Sequence, residues 1–145
     1  MEGLENKLEV TGKNVYNEEQ VREILSRMPA TIAKLANEVN NAQVDLDEAE
    51  QNLKVVKAKS HLYATAHKDE LGLSSVEDRK AWVTQQEDVQ EAENRIILAS
   101  SALRIAQIKC NRGEQEFITV RKLASLIEKE KDAQKNYDKY SNDQY

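Results

Sequence analysis

Residues 82–127, WVTQQEDVQEAENRIILASSALRIAQIKCNRGEQEFITVRKLASLI, decide how this chain folds. Trp82, Gln85, Val89, Ala92, Ile96, Ala99, Leu103, Ala106, Cys110, Gly113, Phe117, Val120, Ala124 and Ile127 recur at alternating spacings of three and four. A helix turns once every 3.6 residues, so this rhythm draws one continuous seam along a helix, of the kind that coils against a partner. A second seam precedes it, through Ile32, Leu35, Val39, Ala42, Leu46, Ala49, Leu53, Val56, Ser60 and Tyr63. Between the two, Gly72 offers a helix stop, and Ser75 with Asp78 three residues on offers a fresh N-cap. Upstream, Asn17 and Gln20 have the spacing of a capping box ahead of Val21. Pro29 either kinks the helix that begins there or opens a new one.

Two long helices joined by a short loop fold back on one another. The expected fold is therefore all-α, a long antiparallel two-helix coiled-coil hairpin with a short N-terminal helix or arm, assembled into a homo-oligomer. Its divisions are an arm over 1–16, the hairpin over 17–129 with helices at about 17–68 and 75–129 and its tip near Gly72, and a polar, disordered tail over 130–145. A register centred between Gly72 and Leu73 sets large side chains against small ones, as complementary layers require. Leu46 then faces Ala99, Leu53 faces Ala92 and Ala49 faces Ile96. Tyr63 faces Trp82, Met28 faces Phe117, and the polar pair Ser60 and Gln85 meet. The same register sets Lys59 near Asp88, Glu38 near Lys109, and Glu50 unfavourably near Glu93.

Composition agrees. The 145 residues include 32% charged side chains but only four Gly and one Pro, too few breakers for a turn-rich β-fold. A single Cys excludes an intrachain disulfide and a multi-Cys zinc site, and it suits a reducing compartment, so the expected location is cytoplasmic, the cytoplasm of a bacterial host if the chain is phage-encoded. No apolar run approaches the roughly 18 residues of a membrane span, and the acidic opening does not read as a signal peptide. No membrane partner, metal or cofactor is expected.

Helix two also carries Ile97, Leu98, Ile105, Ile108, Ile118, Leu123 and Leu126 off its seam. A helix apolar on more than one side is covered on more than one side, and this face is read as the subunit interface. Charge is segregated as well. Residues 51–68 hold Lys54, Lys57, Lys59 and Lys68 with no acid, whereas 69–93 hold eight acids and two bases.

Enzyme signatures are missing: no phosphate-binding Gly loop and no nucleophile–base set, so no catalysis is expected. His61 and His67 are six apart and do not share a helix face, and Cys110 occupies the seam as a small hydrophobe. What stands out is the tip, where Lys54, Lys57, Lys59, Lys68, Arg79 and Lys80 are interleaved with Tyr63 and Trp82. Cations for phosphates beside rings for bases suit single-stranded nucleic acid. Equally, Tyr63 and Trp82 sit on the seam and serve as core. Arg104, Arg112, Arg121 and Lys122 make a second basic patch, and Tyr137, Tyr140 and Tyr145 mark the tail.

From about Gln51 to Ile127 the layout resembles the UvsY-type recombination mediators of tailed phages. The likeness runs through Lys57-Ala58-Lys59 and His61-Leu62-Tyr63 before the loop, then Asn111-Arg112, Phe117-Ile118 and Arg121-Lys122 after it. The resemblance implies a non-enzymatic accessory factor that forms homo-oligomers, binds single-stranded DNA and helps a RecA-like recombinase displace single-strand-binding protein. It implies phosphate contacts from Lys57, Lys59, Lys68, Arg112, Arg121 and Lys122, stacking by Tyr63 or Phe117, and a subunit interface of Ile105, Ile108, Ile118, Leu123 and Leu126. This chain departs from that pattern in its acidity (net charge −5), its longer acidic first helix and its polar tail. The competing expectation is a protein-binding module, an adaptor, assembly factor or phage-encoded inhibitor, whose Asp45, Asp47, Glu48 and Glu50 engage a basic partner.

Overall fold

The computed structural model describes residues 17–143, and all the regular structure among them is helical. Helix α1 spans Glu18–Ala66, α2 spans Val76–Thr84 and α3 spans Glu87–Asn142. The reading of 1–16 as an arm, and Tyr145 of the tail, lie outside the described residues.

The helix ends follow from local chemistry. The Gln20 N–H donates to Asn17 Oδ1 at 2.8 Å and the Asn17 N–H to Gln20 Oε1 at 3.3 Å, so each residue caps the other. α1 continues through Pro29, which therefore does not separate two helices. After Ala66 the chain turns, closing with Leu73 N–H donating to Lys68 O at 2.8 Å. Gly72 at φ +68° supplies the left-handed step, which costs glycine little and other residues more. Ser75 then accepts the Asp78 N–H at 3.0 Å and starts α2.

The second helix is not continuous over 75–129. It breaks at Gln85 and Gln86, whose N–H groups donate to the Trp82 and Val83 carbonyls at 3.2 and 3.1 Å, and the Gln86 side-chain amide donates to Trp82 O at 2.9 Å. Glu87 and Asp88 then open α3, their carboxylates placed where the helix N-terminus favours negative charge. At the other end α3 runs on to Asn142, so residues 130–142 are helical rather than a disordered tail. Lys131 reaches Glu18, and Gln134 donates to Asp138 one turn on, at 3.1 Å. The segment is otherwise rich in charged residues that favour helix.

The described residues divide into two compact units, one formed by Lys34–Asn111 and the other by 17–33 together with 112–143. In the first, Ala64, Leu73, Val83 and Val89 are buried together, with Leu53, Val56 and Trp82 packed against them. The seam positions of α1 from Leu35 to Ser60 and of α3 from Val89 to Cys110 are buried or half-buried throughout. In the second, Val21, Ile24, Met28 and Val120 form the core, flanked by Leu25, Phe117, Ala124 and Ile127. In both, one long helix packs against another.

The break alters what meets at the tip. Val83 replaces Gln85 as the buried residue, and Gln85 is exposed, so it does not meet Ser60. Ser60 is buried beside Gln86 and Asp88 instead. Glu93 lies 3.8 Å from Lys57, an opposite charge, rather than facing Glu50. Removing two residues from the helical run displaces everything after it relative to a continuous seam.

Candidate nucleic-acid interface

The last four turns of α1 carry Lys54, Lys57, Lys59 and Tyr63, the turn that follows carries Lys68, and α2 carries Arg79, Lys80 and Trp82, whose ring meets that of Tyr63. Tyr63 is the shared member of two stacks. Its ring centroid lies 4.1 Å from that of His67 at 21°, and 5.7 Å from that of Trp82 at 11°. Helical spacing of four brings His67 over Tyr63, and His67 Nδ1 lies 3.0 Å from the Tyr63 carbonyl. Trp82 also packs against the buried cluster, so its ring is half core, while Tyr63 keeps 52% of its surface exposed.

Beside these rings lies an open cleft of about 440 Å³, lined by Lys59, Ser60, Tyr63, Leu71, Trp82, Gln86 and Asp88. One wall offers a cation, an aromatic ring and a hydroxyl; the other offers an amide and a carboxylate. The sequence reading named Ser60 and Asp88 only as register partners and did not name Leu71 or Gln86. The one available signal was the polar run Thr84-Gln85-Gln86 ahead of Glu87-Asp88, which marks a helix restart.

The tip cations are not equivalent. Lys54, Lys59 and Lys68 are exposed. Lys57 is half-buried against Glu93, Lys80 Nζ lies 3.8 Å from Glu77, and Arg79 Nη1 donates to the Leu73 carbonyl at 3.4 Å, tying the loop to α2. The first three are thus freest to turn towards a polyanion.

Arg112, Arg121, Lys122 and Phe117 belong to the other unit. Phe117 is half-buried against that unit's core, and the Arg121 guanidinium lies 5.5 Å from its ring centroid. That cation–π contact makes Phe117 a support for Arg121 rather than an open stacking platform. Ile118, Arg121, Lys122 and Ser125 line a shallow groove of about 310 Å³. Arg112 and Lys122 are exposed.

On α3, Ile97, Leu98, Ile105 and Ile108 are 52–72% exposed, Ile118 and Leu126 are 42% and 57% exposed, and Leu123 is half-buried. Cys110 is buried on the seam. Among the described residues no three His, Cys, Asp or Glu side chains converge on a metal position, and no helix is long and apolar enough to cross a membrane.

Away from the tip, Glu18, Arg22, Glu128, Lys131, Asp132 and Lys135 line a polar cleft of about 260 Å³. The hydrogen bond from Lys131 holds the Glu18 carboxyl below its ordinary value, with the nearby charges of Lys131 and Arg22 acting in the same sense.

No family model, characterised protein or solved structure matches this chain. Any assignment of function therefore rests on its residues.

Proposed function

We propose that this protein is a non-enzymatic accessory factor, an antiparallel helical hairpin that assembles with copies of itself and binds single-stranded DNA, acting as a recombination mediator that helps load a RecA-like recombinase. One observation carries the reading: exposed Lys59 stands one turn before the half-exposed Tyr63, and exposed Lys54 and Lys68 belong to the same acid-free run, residues 51–68. Phosphates pair with the ammonium groups, and bases enter the cleft beside the stacked Tyr63 and Trp82 rings. Arg121 and Lys122 supply a second phosphate contact.

A second reading has its own support. Asp45, Asp47, Glu48 and Glu50 are all exposed along α1, while Lys57 and Lys80 already lie near acids of the same chain. An acidic helix of this kind fits a basic protein surface, and the chain then serves as an adaptor, an assembly factor or a phage-encoded inhibitor of a host protein.

Fluorescence anisotropy with a labelled oligothymidylate separates the two. The mediator reading expects binding that weakens linearly on a log–log plot with salt, with each lost phosphate contact lowering the slope by about 0.7. Replacing Lys54 and Lys59 by Glu weakens binding and lowers the slope while helicity is retained. Absence of binding at low salt overturns the DNA reading and moves attention to partners of the acidic helix.

A further inference from the structure

The outward face of α3 carries an exposed apolar stripe. At about 100° per residue, Ile97, Ser101, Ile105 and Ile108 share the side of the helix opposite the buried seam of Ile96, Ala99, Leu103, Ala106 and Cys110. All four outward residues are exposed, as is Leu98 at their edge. Ile97 and Ile105 stand four residues either side of Ser101, so a two-fold axis at Ser101 sets Ile97 of one copy against Ile105 of the other, twice. The small serine at the crossing lets the two helices approach.

Charge selects the direction. Residues 87–93 hold Glu87, Asp88, Glu91 and Glu93 with no base, and residues 94–111 hold Arg95, Arg104 and Lys109 with no acid. A parallel pair sets like charge on like; an antiparallel pair sets acid on base. Glu91 and Lys109 are eighteen residues apart, five full turns, and therefore flank the apolar stripe on the same side. Both are exposed, and an antiparallel two-fold brings them together at each end of the contact. By contrast, the outward apolar residues of α1 (Val44, Val55 and Leu62) stand eleven and seven apart with Glu48 and Gln51 between them, a poorer match for a helix.

We infer that the occupant of this face is a second copy of the chain, in an antiparallel two-fold contact of α3 with α3 centred on Ser101. This deepens the assembly proposed above, on which it rests, and confines the contact to the unit Lys34–Asn111, leaving Ile118 and Leu126 outside it.

Sedimentation equilibrium of the full chain tests it, with circular dichroism to verify folding. Wild type is expected to approach twice the 16.5 kDa of one chain, or a multiple of that dimer. Ile105→Glu places an unpaired charge in the contact and raises the dissociation constant at least about tenfold. Glu91→Lys and Lys109→Glu each weaken it about threefold, and the double variant restores it, because the pair re-forms with its signs exchanged. Ile118→Glu leaves the mass unchanged. If wild type self-associates but I105E and both charge reversals leave its mass unaltered, the α3 contact is wrong while assembly stands. If wild type is a monomer throughout, assembly and contact fall together.

Discussion

Val89 and Leu98 lie nine residues apart on α3, yet one is fully buried and the other 72% exposed. Shortening each to alanine therefore separates packing from composition. Val89→Ala removes two carbons from a side chain with no exposed surface, losing about 1.6 kcal/mol of transfer free energy at ~0.8 per methylene-sized group. The space left adds up to about 1 kcal/mol if the cluster does not collapse, so the expected loss is about 1.5–2.5 kcal/mol. Leu98→Ala removes more carbon, but most of it is already in water, and alanine's better helix propensity offsets part of the remainder. Its expected cost is below about 0.5 kcal/mol in dilute solution. Trp82 is the chain's single tryptophan and packs on the same cluster, so its fluorescence during urea unfolding reports on this unit directly. With an m-value of about 2 kcal/mol/M, V89A lowers the midpoint by about 1 M and L98A by about a quarter of that or less. A V89A midpoint indistinguishable from wild type refutes the packing described for the tip. An L98A loss as large as that of V89A, at a concentration where the chain is monomeric, shows that Leu98 is covered within the monomer.

Two further outcomes follow from the chain ends and the loop. Because Lys131 depresses the Glu18 pKa, their contact adds stability above the ordinary carboxylate range and loses it as pH falls through the folded value. A carbon-detected NMR titration should show Glu18 titrating below the ordinary glutamate value, and Lys131→Ala should raise its midpoint; an unmoved midpoint removes Lys131 as the cause. Gly72→Ala forces a side chain into a left-handed step that has open space around it, so its cost is conformational alone, about 1 kcal/mol. Gly72→Asn should cost less, since asparagine tolerates that conformation, and equal losses in thermal unfolding argue for a lost contact instead.

The parts of this fold written in short-range chemistry were legible. Asn17 with Gln20, Gly72, and Ser75 with Asp78 each announce a helix end through hydrogen bonds that span three residues or through a backbone angle glycine favours. The seams were legible because burial and spacing are the same information on a helix. The break at Gln85 and Gln86 was not, since Trp82, Gln85 and Val89 keep the three-four rhythm straight across it. Rhythm alone does not reveal that Val83 is the better-buried neighbour. Volume matching of facing layers presumed an unbroken helix, and so it set Glu93 opposite Glu50 rather than Lys57. The helix beyond residue 129 was hidden for a different reason. Its stability draws on Lys131 reaching Glu18, more than a hundred residues away in sequence, while its own surface is almost wholly polar. At the candidate site the cations could be named from sequence, but which of them already serve the chain itself depended on distances no spacing encodes.

The interruption at Gln85 and Gln86 also sets the azimuth of everything that follows it. In an unbroken helix Val83 and Val89 would point about 120° apart, yet both reach one cluster here. The two glutamines act as an adjustable coupling between a short helix anchored by the loop and a 56-residue shaft. Deleting or adding one residue there would rotate that shaft by about 100°, bringing residues such as Ser101 and Ile105 round towards the core and carrying the seam towards solvent. Length is thus fixed at this dipeptide, and Gln86 is held in kind as well by its side-chain bond to the Trp82 carbonyl.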